Sequence, residues 1–153
     1  MPIADRLKEL GIELPPAPAA AANYVPYVLE GGLLFVAGQV PLGPDGKLHY
    51  VGKVGADADE QKGYQSARLC ALNALAQINA ALGSLDKVKR ILSLRGFVNC
   101  TDGFTNQPEV INGASDLLVE VFGEQGRHAR AAVGSNALPR GVMTEVEVLV
   151  AVV

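Results

Sequence analysis

Arg130 and Glu145 are the two charges whose types and placement point to chemistry. A guanidinium grips a carboxylate through two parallel hydrogen bonds and stays charged at any relevant pH. A carboxyl group beside a reacting carbon can accept protons and hand them on. Both residues lie in the C-terminal stretch RHARAAVGSNALPRGVMTEVEVLVAVV, Arg127 to Val153. That stretch reads as two strands, about Ala129 to Asn136 and Thr144 to Val153. The loop between them holds Leu138, Pro139, Arg140 and Gly141. In the second strand Val146, Val148, Val150 and Val152 share one face at period two, with Glu145, Glu147, Leu149, Ala151 and Val153 on the other. Such a strand suits a sheet with one covered face and a second face that meets a partner subunit or water. A terminal hairpin turning near Arg140 sets Glu145 opposite about Ser135. Arg130 then lies about 17 Å further along at strand rise. One small substrate does not touch both within that hairpin, so a second copy has to bring them together.

Blander readings stand beside these. Arg130 also suits an interface salt bridge, Glu145 a solvated strand position, and Glu147 a structural role. His128 is a candidate base next to the first strand, although a lone surface histidine is the commoner case. No serine sits in a nucleophile elbow. Cys70 and Cys100 form no CxxC pair, and His49 and His128 lack ligand spacing, so a metal site is not expected. Reduced thiols in a cytoplasmic protein are the plain reading. Asp57, Asp59 and Glu60 suit the start of a helix through its dipole, without any cation. Gly43 to Lys47 lacks the spacing and the Ser/Thr after lysine that a phosphate loop needs.

The elements that must position the two charges follow from periodicity and punctuation. Pro2 to Leu10 forms a short amphipathic helix ended by Gly11. Ile12 to Ala22 is an extended Pro/Ala arm, so 1–22 reads as helix and arm and 23–153 as the domain proper. Tyr24 to Glu30 and Leu33 to Gln39 pair through Gly31-Gly32 as a hairpin, with Pro26 at an edge or bulge. Leu48 to Val54 is a further short strand candidate after the turn Gly43 to Gly46. Asp57 or Asp59 caps a long helix from Glu60 to Leu82, closed by Gly83, with ridges Leu69/Leu72/Ala76 and Leu75/Ile78/Leu82. Val88 to Val98 is a strand and Asn99 to Gln107 a loop. Pro108 starts a second helix, Glu109 to Phe122, that Gly123 stops. The order predicts an α+β domain: a mostly antiparallel sheet with two helices on one face. Its other, apolar face calls for self-association, and clefts between subunits offer a place for a site.

Composition sets the outer bounds. At 153 residues the chain holds one sizeable core. Its formal charge is −3 with basic residues scattered, which argues against a nucleic-acid surface and against ribonuclease activity. No apolar run reaches membrane-span length, and MPIADRLKEL lacks the features of a signal peptide.

The sequence resembles the Rid/YjgF family of reactive-intermediate deaminases, also known as endoribonuclease L-PSP-like. Tyr24-Val25 followed by Ala37-Gly38-Gln39-Val40-Pro41, the strand end Phe97-Val98-Asn99, and Asn112 each match family positions. The C-terminal signature is the most specific match: Ala129-Arg130-Ala131-Ala132-Val133, Leu138-Pro139 and Glu145-Val146-Glu147 fall at the family separations. The likeness runs from about Tyr24 onward, as in one divergent branch. It implies a chorismate-mutase-like fold and a homotrimer with three sites in clefts between subunits. It also implies hydrolysis of an amino-acid-derived enamine or imine to a 2-oxo acid and ammonia, without a cofactor. In that setting Arg130 grips the substrate carboxylate and Glu145 moves protons. The backbone at Gly38 and Ala132 orients the substrate, Tyr24 closes the cleft, and Asn112 lines or supports it. Enclosure raises the pKa of Glu145 and Arg130 lowers it. Two positions depart from the pattern: Ala37 stands where the family often has Ser or Thr, and Ala132 where deaminases often have Cys. A non-catalytic binder of small carboxylates, or a regulatory protein, is the second reading those departures motivate.

Overall fold

The structure, a computed structural model, describes residues 1–153. The chain runs α1 (Ile3–Glu9), β1 (Tyr27–Glu30), β2 (Leu33–Gln39), α2 (Glu60–Leu82), β3 (Val88–Asn99), α3 (Gln107–Phe122), β4 (Ala129–Ser135) and β5 (Thr144–Val152). The five strands form one sheet in the order β1-β2-β5-β3-β4. Every neighbouring pair is antiparallel except β3 and β4, which run parallel. The α+β architecture expected from the element order is present, with both helices on one face.

Local chemistry explains most element ends. Gly31 and Gly32 take φ of 60° and 76°, the left-handed pair that a two-residue hairpin needs. β1 starts at Tyr27 rather than Tyr24, because Pro26 has no N–H to donate; its carbonyl still accepts from the Ala37 N–H at 2.9 Å. Asp59 is the cap of α2, accepting from the Lys62 N–H at 2.8 Å. Asp57 instead ties its own turn through the Lys53 N–H at 3.0 Å. No strand forms over Leu48 to Val54; isolated bridges to Leu42, Val142 and Cys100 replace it.

The terminal hairpin expected from the sequence does not exist. β5 lies between β2 and β3, and β4 pairs with the far side of β3 as an edge strand. The twelve-residue β3 is the longer partner for both, pairing with β5 from Val88 to Val98 and with β4 from Ser93 to Asn99.

The core sits between the sheet and the helices. Leu34, Val36, Ile91, Leu94, Val98, Val146, Val148 and Val150 meet Ala71, Leu75, Ile78 and Leu82 of α2 and Ile111, Leu117 and Leu118 of α3. Each fully buried aliphatic side chain of this size contributes roughly 1.5–3 kcal/mol. The Leu75/Ile78/Leu82 ridge of α2 is buried, whereas Leu69 and Leu72 are half-covered. Gly113 lets the helices touch, since a Cβ there would collide with the Tyr64 carbonyl. Across the same seam the Tyr64 hydroxyl donates to Asp116 at 2.7 Å.

The opposite sheet face is open. Val28, Phe35 and Val133 remain 46–49% exposed there, and Leu33, Ala131 and Leu149 share the face by register. The surface curves into a hollow of about 580 Å³, crossed by an Arg95–Glu147 ion pair at 2.8 Å.

Candidate functional site

Arg130 and Glu145 occupy opposite faces of the sheet. Glu145, Phe97 and Val133 share one row across β5, β3 and β4, on the open face. Arg130 shares its row with Leu94 and Val148, both buried beneath the helices. The two backbones are about 14 Å apart, from two interstrand spacings and three residues of rise. The hairpin reading placed them about 17 Å apart on neighbouring strands; β3 lies between the two strands instead. Each charge stands in its own candidate region.

The first half-site is built on Glu145. Its carboxyl lies over Gly38 of β2, where an added Cβ would come within 2.5 Å of Oε2. The β2–β5 register shifts between Val36 and Gln39, which brings that glycine under the acid. Burial raises the pKa of Glu145 above the ordinary 4.5, and the neighbouring Glu147 adds to the shift. Arg130 of the same chain takes no part in this shift. Tyr24 and Gly38 line a cavity of about 320 Å³. Tyr24 is half exposed, and its hydroxyl accepts from the Ala21 N–H at 3.4 Å.

A cross-linked group of loops holds the start of β5 in place. The Lys53 ammonium donates to Asn99 Oδ1 at 2.8 Å, to the Asn136 carbonyl at 2.6 Å and to the Cys100 carbonyl at 3.3 Å. Asn99 Nδ2 in turn donates to the Gly52 and Val142 carbonyls, each at 3.2 Å. Buried Thr144 meets Ser66 of α2 at 2.6 Å through their hydroxyls.

The second half-site is built on Arg130. Its guanidinium folds back on α3, donating to Ser115 Oγ at 3.1 Å and to the Pro108 carbonyl at 3.2 Å. Two of five N–H donors are engaged in this way, which leaves three free. His128 is half-buried and far from idle. Its Nδ1 donates to the Gly126 carbonyl at 2.6 Å, so Nε2 accepts from the Ser115 hydroxyl at 2.9 Å. Burial foremost, then the positive charge of Arg130, lowers its pKa below 6.5. Asn112, one turn before Ser115 on α3, lines the same depression of about 290 Å³. Ala132 faces the helices beside Gly96, offering backbone and a methyl group to its surroundings.

The structure thus gathers Glu145, Gly38 and Tyr24 toward one region and Arg130 and Asn112 in another. Ser115 was missed from the sequence. A serine in mid-helix has no signature of its own, and only its i, i+3 spacing from Asn112 marked the shared face. Among all residues no group of three or more His, Cys, Asp or Glu side chains could hold a metal ion. No helix is long and apolar enough to cross a membrane.

This constellation has relatives. Residues 4–151 match the family model described as "YjgF/chorismate_mutase-like, putative endoribonuclease". The chain belongs to the Rid/YjgF family. Protein TCP17 of Trypanosoma cruzi is 50% identical over 149 residues, covering 97% of this chain and 92% of that protein. A crystal structure from Agrobacterium tumefaciens superposes with a TM-score of 0.90 at 47% identity, covering 99% and 94% of the two chains. E. coli TdcF with bound serine superposes with a TM-score of 0.63 at 27% identity, covering 88% and 92%. The Rid/YjgF fold accounts for the covered helical face, and its sheet leaves the other face bare.

Proposed function

We propose that this Rid/YjgF protein hydrolyses enamines or imines derived from amino acids, giving 2-oxo acids and ammonia. The site forms where Glu145 of one copy meets Arg130 of another in a homotrimer. The observation that carries the reading is that Arg130 and Glu145 stand on opposite sheet faces about 14 Å apart, too far for one small substrate to touch both within one chain. An unpartnered apolar sheet face beside them supports closure by further copies.

The chemistry suits the groups. Arg130 grips the substrate carboxylate through its free N–H edge, and the Ser115 and Pro108 contacts fix its orientation. Glu145 takes a proton from water as the oxygen attacks the C=N carbon. It then returns a proton to nitrogen; the carbinolamine collapses, ammonia leaves and the 2-oxo acid remains. Glu145 acts as base in its carboxylate form and as acid once it holds the proton taken from water. The serine bound to TdcF, itself an α-amino carboxylate, supports a site for amino-acid-sized anions.

Stopped-flow loss of 2-aminoacrylate, generated in situ, is the test. Acceleration by the protein upholds the reading, and none across several amino-acid imines removes it. One observation favours a second reading, a small-carboxylate binder without turnover. Ala37 and Ala132 stand where the family often has Ser or Thr and Cys, so neither offers a polar side-chain atom. Calorimetry against 2-oxo acids, with Arg130→Ala as control, separates the two.

A further inference from the structure

The cavity of about 320 Å³ beside Gly38 is not needed for a carboxylate clamp or for proton transfer, yet it opens from the same glycine that carries Glu145. The Pro/Ala arm builds one wall, and the Pro18 carbonyl is fixed there by the Gln77 Nε2 at 2.6 Å. Gln77 and Gln39, 1% and 6% exposed, supply buried amides among the lining residues. Small pockets of about 300 Å³ and more are large enough for ligand side chains.

One charged side chain lines this cavity: Arg140. Its guanidinium forms no ion pair with any carboxylate of the chain. Its backbone sits at φ 56° and ψ 19°, a left-handed conformation that a non-glycine residue adopts at a cost. Glycine or asparagine fits that position with less strain, yet the chain has an arginine there, followed by Gly141 at φ 73°. Strain of this kind gathers at ligand-binding positions.

We propose that Arg140 receives a second carboxylate, carried on the side chain of the substrate. The preferred substrates are then imines of dicarboxylic amino acids. This inference rests on the imine-hydrolysis reading for its chemistry, R₂C=NH + H₂O → R₂C=O + NH₃, and adds the distal group. The reacting carbon lies at Glu145, the side chain passes Gly38 into the cavity, and its terminal carboxylate pairs with Arg140. Arg140 is exposed at the edge of the cavity and no carboxylate of the chain pairs with it, so it favours an anionic side chain over an apolar one.

Imines of glutamate, aspartate, alanine and leucine, generated in situ by amino-acid oxidases, provide the test. The expected kcat/KM for the glutamate imine is at least tenfold above that for leucine. Arg140→Asn, which accepts the same backbone conformation, collapses that ratio toward one, and Arg140→Lys retains part of it. Equal rates for all four imines in the parent, or an unchanged ratio in Arg140→Asn, overturn the proposal. If the parent hydrolyses no imine, the hydrolysis reading alone falls. Calorimetry with 2-oxoglutarate against 2-oxobutyrate then decides: a preference lost in Arg140→Asn upholds the second carboxylate site, and equal affinities refute it.

Discussion

Glu145 rests its carboxyl on bare backbone at Gly38, and that contact makes the acid testable by substitution. Glu145→Gln keeps the shape and removes the proton carrier, so kcat is expected to fall by roughly 10²–10⁴. Stability moves the other way. The folded-state pKa is raised, so the folded protein binds more protons than the unfolded chain between 4.5 and the raised value. Stability therefore declines as pH rises through that window, and Glu145→Gln escapes the decline. Thermal melts at pH 7.5 are expected to show a Tm equal to or above the parent's; a marked drop refutes the assignment. His128 has the opposite linkage. Its folded pKa lies below 6.5, so the unfolded chain binds the extra proton and stability is lost as pH falls below that value. NMR titration of the imidazole should give a midpoint under 6.5, moving upward when Arg130→Ala removes the neighbouring charge. Arg130 and Glu145 were legible as residues because charge types and the family spacing marked them. The Ser115–His128 link was not, because its two ends lie thirteen residues apart on different elements.

At the scale of elements, the seam between α2 and α3 is the most sensitive place. Gly113→Ala pushes a methyl group into the Tyr64 carbonyl and parts the helices. A loss of about 1–3 kcal/mol is expected, measurable by urea unfolding. Asp59→Ala removes the α2 cap for about 1 kcal/mol. The helices themselves were readable because the Asp59 cap of α2, Pro108 in the first turn of α3, glycine stops and apolar stripes agree, although α3 begins at Gln107, two residues before the expected Glu109. Strand pairing was not. Alternation tells which side of β5 is buried but not which strand lies beside it. Two strands around the short Leu138–Gly141 loop resemble a hairpin locally, and only the length of β3 and the return path through α3 decide otherwise. The correct face assignment and the wrong neighbour came from the same pattern.

For the whole molecule, the open face is the prediction. Phe35→Asp places a charge in the middle of the apolar hollow without touching the helical core. Such a variant is expected to keep its far-UV circular dichroism, to sediment as a smaller species than the parent, and to lose turnover because the two half-sites no longer meet. A parent that already sediments as a monomer would dispose of the shared cleft.

The parallel edge has a kinetic corollary. β4 cannot zip onto β3 through a tight turn; the chain must first travel out along α3 and return. The β1–β2 hairpin, closed by a two-residue turn, carries no such obligation to that helix. In a refolding experiment the helical signal should recover ahead of the proposed carboxylate grip, because β4, which bears the guanidinium, docks only after that excursion. Amide hydrogens of Ala129–Ser135 should likewise exchange sooner than those of the central strands, so the proposed grip of Arg130 on a carboxylate is the first property to be surrendered under mild denaturation.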